Sequence, residues 1–127
     1  MNQIAIGVAT CAANWNRRVV CSRTWVPRVR AQTDSQVVFV NGEPELEPPY
    51  RLDHDTLICR CGDDYASLTQ KTQLLARWMV NETTCDYLFK CDDDTYVHAE
   101  NFAAFDPDGN DYVGCYAGES YASGGAG

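Results

Sequence analysis

The sequence predicts an α/β fold: a mostly parallel sheet with helices on both faces. Three observations carry the prediction. Short apolar runs alternate along the chain with segments of helical periodicity. Within the runs, consecutive positions are apolar, as they are in strands covered on both sides. Polar residues then gather just after several runs, where the ligands of open α/β sheets bind.

Ile4 to Thr10 reads as a first buried strand. Asn14 is placed to cap a helix over Trp15 to Trp25, which Pro27 ends. Val37 to Val40 is a second buried strand, closed by Asn41-Gly42. Glu43 to Arg51 holds three Pro and three Glu, which predicts a surface loop. Thr56 to Cys61 is a third strand. The clearest helix runs from Ala66 to Glu82, with Leu68, Leu75, Trp78 and Met79 on one stripe facing a core. Tyr87 to Cys91 is a fourth strand. His98 to Phe105 reads as a short helix with Phe102 and Phe105 inward, Asp106 to Asn110 as a turn, and Tyr112 to Tyr116 as a last strand. The final Ser123-Gly124-Gly125-Ala126-Gly127 allows a close backbone approach to a ligand, or frays as a tail.

The 127 residues fit a single domain, 1–127, and 45% hydrophobic content marks it as globular, not disordered. A net charge of −8 argues against nucleic acid or an anionic membrane as general partners. The basic residues are clustered: Arg17, Arg18, Arg23, Arg28 and Arg30 supply half of the ten Lys and Arg. Such a patch suits a small anion such as phosphate, or simply solvates a helix face. No apolar run is long enough to span a membrane, and no signal peptide is recognisable. Of the seven Cys, Cys11, Cys59, Cys91 and Cys115 lie in apolar runs, where reduced buried thiols are the default. These features predict a cytoplasmic protein if the chain is complete. No Gly-x-Gly-x-x-Gly or Walker loop is present, and nothing fixes an oligomeric state.

The fourth strand stops at Asp92-Asp93-Asp94. Adjacent carboxylates repel, and Asp is disfavoured in strands. The triplet is either an Asp-rich solvated turn or the seat of a hard cation. In an extended chain Asp92 and Asp94 share a side, about 6.6 Å apart, with Asp93 facing away. That span is wide for joint chelation and favours one Asp on an ion and another on a group beside it. Thr10 and Asp63-Asp64 also sit at strand ends.

Four segments, in order along the chain, together resemble one family. They are Arg17-Arg18-Val19-Val20-Cys21-Ser22-Arg23-Thr24-Trp25, Asp63-Asp64-Tyr65-Ala66-Ser67-Leu68-Thr69-Gln70-Lys71-Thr72, Phe89 to Val97 with its three Asp, and Tyr121 to Gly127. The family is the inverting β-1,3-glycosyltransferases of the galactosyltransferase, Fringe and core 1 synthase group. Ser67 stands where that pattern has Asn. The resemblance implies the Rossmann-like GT-A fold, a UDP-sugar donor, a manganese (or magnesium) cofactor, and a glycan or glycoprotein acceptor. It implies Asp94, with Asp92, on the metal and Asp92 or Asp93 on the nucleotide. Thr10, Arg18, Arg23, Asp63 and Lys71 complete the expected donor site. The family's general base lies beyond the Gly-Gly segment, so no catalytic residue is assigned and the C-terminal acceptor half is expected to be missing. The expected activity is transfer of a hexose or N-acetylhexosamine to a carbohydrate hydroxyl. The alternatives are a non-catalytic UDP-sugar and manganese module, or a structural domain with an incidental Asp cluster. A fragment of an anchored enzyme would belong to the Golgi lumen.

Overall fold

A computed structural model describes residues 3–114. The elements in chain order are β1 (Ile4–Ala9), α1 (Trp15–Arg23), α2 (Trp25–Gln32), β2 (Gln36–Gly42), β3 (Tyr50–Asp53), β4 (Thr56–Cys59), α3 (Leu68–Glu82), β5 (Tyr87–Asp92) and α4 (Ala99–Ala104). They build a five-stranded sheet in the order β3-β4-β2-β1-β5. β1 pairs in parallel with β2 and β5, and β2 with β4; β3 runs antiparallel to β4. This is the predicted α/β Rossmann-like class.

Strand alternation divides the apolar residues between two layers. Ile6, Val8, Val37, Phe39 and Cys91 face one side, under Cys21, Trp25, Val26, Val29 and Phe102 of α1, α2 and α4. Ala5, Val38, Val40, Leu57 and Cys59 face the other, under Leu75, Trp78 and Met79 of α3. Helices therefore cover both faces, and both-sided burial accounts for the continuous apolar runs. Each large side chain buried this way contributes roughly 1.5–3 kcal/mol. α3 packs directly on β1 at Gly7, where any Cβ would run into the Leu75 side chain.

The connection from β1 through α1 and α2 leads to β2 on one side of β1. The connection from β4 through α3 crosses back to β5 on the other side. The carboxyl ends of β1 and β5 thus form the topological switch point, where a crevice opens in such sheets.

Several expectations are corrected. Pro27 does not end a helix: α1 stops at Arg23, and Pro27 is the third residue of α2. In a first turn the missing N–H has no intrahelical acceptor to lose. Asn14 makes no side-chain cap; it closes a 3-10 turn, Ala12–Asn14, that runs straight into α1. The expected loop before Arg51 gives way at Tyr50 to β3, an edge strand held by its pairing with β4. β4 ends at Cys59, two residues early. Phe105, expected inward, is 46% exposed, because α4 ends at Ala104. Tyr112 to Gly114 form no strand, and the rest of that predicted strand lies outside the described residues, as does the Gly-rich segment. Among the described residues no helix is long and apolar enough to cross a membrane. The six described cysteines are all free, and burial pushes the Cys59 and Cys91 thiols up to about 12. Cys11 is only half-buried.

Candidate functional site

A cleft of about 230 Å³ opens at the switch point. Its walls are the end of β1 (Ala9, Thr10, Cys11), the start of α1 (Asn14, Arg17), the segment entering α3 (Asp63, Asp64, Tyr65, Leu68, Lys71) and the end of β5 (Asp92, Asp93, Asp94). A wider concavity of about 550 Å³, lined by Asp86, Tyr87, Leu88, Asn110 and Asp111, lies at the opposite, amino end of β5. No basic side chain lines it, and it is remote from every predicted site residue.

One buried pair organises the cleft. Lys71 sits on the inward stripe of α3, one turn before Leu75, and is only 4% exposed. Its Nζ donates to the Thr10 carbonyl and to Asp63 Oδ1, both at 2.8 Å. Asp63 also accepts from the Gly42 N–H on Oδ1 and the Ala12 N–H on Oδ2, both at 2.8 Å. Two side chains thereby tie the ends of β1 and β2 to the start of α3. A buried ion pair persists where further hydrogen bonds satisfy both groups, as here.

Burial pushes the Asp63 carboxyl up, but the Lys71 ammonium and the Ala12 and Gly42 N–H groups outweigh it and hold the group below its ordinary value. For a depressed carboxyl the sign is fixed. Its stabilisation is complete above the unfolded value, about 3.9, and is lost as pH falls through the lower folded value. Acid unfolding followed by circular dichroism is expected to show stability falling below about pH 4. Asp63→Asn should be weaker at neutral pH and lose that part of the acid dependence; an unchanged acid profile would count against the linkage.

The three Asp do not continue the strand. β5 ends at Asp92, and the chain turns there, with the Thr95 N–H donating to the Asp92 carbonyl at 3.1 Å. The expected extended alternation through Asp94 therefore does not apply. Asp93 turns into the protein and is 7% exposed. Its Oδ2 accepts from Thr10 Oγ1 at 2.9 Å, Oδ1 faces Arg17 Nη1 at 3.5 Å, and its carbonyl accepts from Cys21 Sγ at 3.4 Å. Asp92 and Asp94 stay exposed, with Lys90 Nζ 3.7 Å from Asp92. Asp64 caps the next 3-10 turn by accepting from the Ser67 N–H at 3.0 Å, and hydrogen bonding from the Ser67 side chain, then from its backbone, holds the carboxyl below the ordinary value.

Of the residues expected at the donor site, Thr10, Asp63, Lys71, Asp92, Asp93 and Asp94 meet in this cleft. Arg18 and Arg23 are not brought to it. Arg18 is buried on α1, with Nη2 on Asp55 Oδ1 at 2.7 Å and Thr56 Oγ1 at 2.6 Å, and its guanidinium lies 4.5 Å over the Phe39 ring. It fastens α1 to the β3–β4 hairpin. Arg23 is exposed in the last turn of α1. Arg17, absent from the expected set, takes the place at the cleft. Only the phase of the helix separates it from Arg18.

The lining carries five carboxylates against two cations, and both cations are already paired, Arg17 with Asp93 and Lys71 with Asp63. Among the described residues no three His, Cys, Asp or Glu side chains converge as a ready metal cage. The chemistry of the donor set still suits a hard cation of the magnesium or manganese kind. Such an ion is commonly held by one or two carboxylates, with substrate phosphates and water completing its shell. Asp92 and Asp94 are the two exposed carboxylates of the β5 turn.

A switch-point cleft rich in hard oxygen donors defines the ligand-binding class of doubly wound α/β proteins. Residues 16–108 match the family model described as Galactosyltransferase, and the chain belongs to that family. It is also 25% identical over 107 residues to the hydroxyproline O-galactosyltransferase GALT2 of Arabidopsis thaliana. That alignment covers 78% of this chain and 16% of the plant protein, so the chain spans a small part of this relative's length. No solved structure gives a significant match.

Proposed function

We propose that the chain carries the donor-binding part of a metal-dependent glycosyltransferase. The reaction is transfer of a hexose or N-acetylhexosamine from a UDP-sugar to a carbohydrate hydroxyl of a glycan or glycoprotein, with inversion and a β-1,3 linkage. The observation that carries this reading is the charge of the cleft, five carboxylates against two committed cations. A diphosphate entering such a cleft meets repulsion unless a divalent cation accompanies it. Membership of the galactosyltransferase family supports the transfer chemistry.

Asp94 and Asp92 would hold the ion, manganese or magnesium, which supplies charge neutralisation of the departing diphosphate. The protein's own groups do the rest. Asp93 and Thr10 fix the turn that presents the two exposed carboxylates. Lys71 and Asp63 fix the floor beneath it. Arg17, with 57% of its side chain exposed, remains able to reach a phosphate while leaning on Asp93.

Titration calorimetry with UDP, with and without manganese, tests the reading. UDP is expected to bind only when the metal is present. Equal binding in chelator would remove the metal from the site, and no binding in either condition would remove the donor. Incubation with a UDP-sugar then separates an enzyme from a module that binds the donor without transferring it.

A further inference from the structure

We propose that Tyr65 is the platform on which the nucleobase of the donor stacks. This rests on the donor reading above and adds the residue that holds the base, for which neither the family match nor the charge of the cleft supplies a candidate.

Tyr65 is 91% exposed, more than any other large apolar or aromatic side chain among the described residues. An exposed Tyr on an outer surface needs no explanation, but this one lines the cleft, with Leu68 beside it. Its backbone is held firmly. Asp64, just before it, caps the 3-10 turn Tyr65–Ser67; the Leu68 N–H donates to the Tyr65 carbonyl; and Asp63, two residues back, is locked by Lys71, Ala12 and Gly42. A ring mounted on so fixed a segment offers a flat face at little cost in ordering.

The cleft is also divided in character. The β5 turn and the start of α1 bring Asp92, Asp93, Asp94 and Arg17 to it, while the entry to α3 brings Asp63 and Lys71, which pair with each other, Asp64, which caps its own turn, and the ring of Tyr65 beside Leu68. A ligand that matches both parts has a planar ring at one end and a cation-bound anion at the other. A nucleoside diphosphate has that shape. At about 230 Å³ the cleft is smaller than common ligand pockets of about 300–1,000 Å³, so the ligand must extend along an exposed wall, and Tyr65 is the aromatic one.

The test compares the protein with its Tyr65→Ala, Tyr65→Phe and Tyr65→Trp variants, titrated with UDP and with inorganic pyrophosphate in the presence of magnesium. Base–aromatic stacking corresponds to a loss of about 5- to 150-fold on removal of the ring. Tyr65→Ala is therefore expected to weaken UDP by at least about fivefold and leave pyrophosphate unchanged, with Phe and Trp keeping UDP within about threefold. Equal weakening of UDP and pyrophosphate, or unchanged UDP binding in Tyr65→Ala, overturns the platform while leaving the donor reading intact. Failure of the unaltered protein to bind UDP overturns both.

Discussion

Replacing Lys71 by Met is expected to destabilise the fold by about 3–5 kcal/mol, read as a fall in the urea midpoint at neutral pH. The methionine fills a similar volume, so the loss is electrostatic. Lys71 is buried, and its ammonium bonds two oxygens at once, Thr10 O and Asp63 Oδ1. Removing it leaves the Asp63 carboxylate partly buried with only the Ala12 and Gly42 N–H groups for company. Breaking one side of a buried pair is far more harmful than replacing both. Adding Asp63→Asn to Lys71→Met should thus restore part of the loss, since an amide oxygen still accepts from one backbone N–H. A single-variant effect under about 1 kcal/mol would place the pair among ordinary surface bridges.

The second large effect falls on ligand binding. Asp94→Ala is expected to reduce manganese-dependent UDP binding by at least about a hundredfold, since loss even of outer-shell partners costs a metal site about 10–100-fold. Its stability should stay within about 0.5 kcal/mol of the unaltered protein, because Asp94 is exposed. Asp93→Ala is the informative contrast. It strips partners from Thr10 and Arg17 inside the protein and should lower the urea midpoint. Unaltered metal-dependent UDP binding in Asp94→Ala would remove that residue from the ion.

How much of this was legible in the residues depends on what decided each feature. β1 and β2 follow from their own apolar patterns, because burial on both faces is written into consecutive positions; α3 follows from its single apolar stripe, and β5 from a short apolar run. β3 was not legible: Tyr50-Arg51-Leu52-Asp53 is largely exposed and becomes a strand only through β4. Pro27 misled because Pro both stops helices and opens them, and the break three residues earlier at Thr24 carries no distinctive residue. The strand ends pointed to Thr10, Asp63 and the three Asp, and the fold brings these residues to one cleft. The exchange of Arg17 for Arg18 was hidden, since neighbours on a helix differ by about 100° and only the packed structure sets the phase. Lys71 left a clue in the sequence: it extends the stripe of Leu75 and Trp78 by one turn, at a position where a cation must have a partner.

The Thr10–Asp93 hydrogen bond joins positions 83 apart in the chain, and β5 pairs along the whole of β1. β1 and β2 can zip together across a much shorter connection. Closing the longer loop adds only a logarithmic entropy term, but such distant pairings slow folding. The carboxylate turn thus reaches Thr10 only when the last described strand is paired with β1, so the cleft exists only in the finished sheet. A ligand held there binds the finished sheet alone and favours it by mass action. Occupancy of the cleft would act as a checkpoint on assembly, distinguishing chains that have completed their sheet from those still awaiting β5.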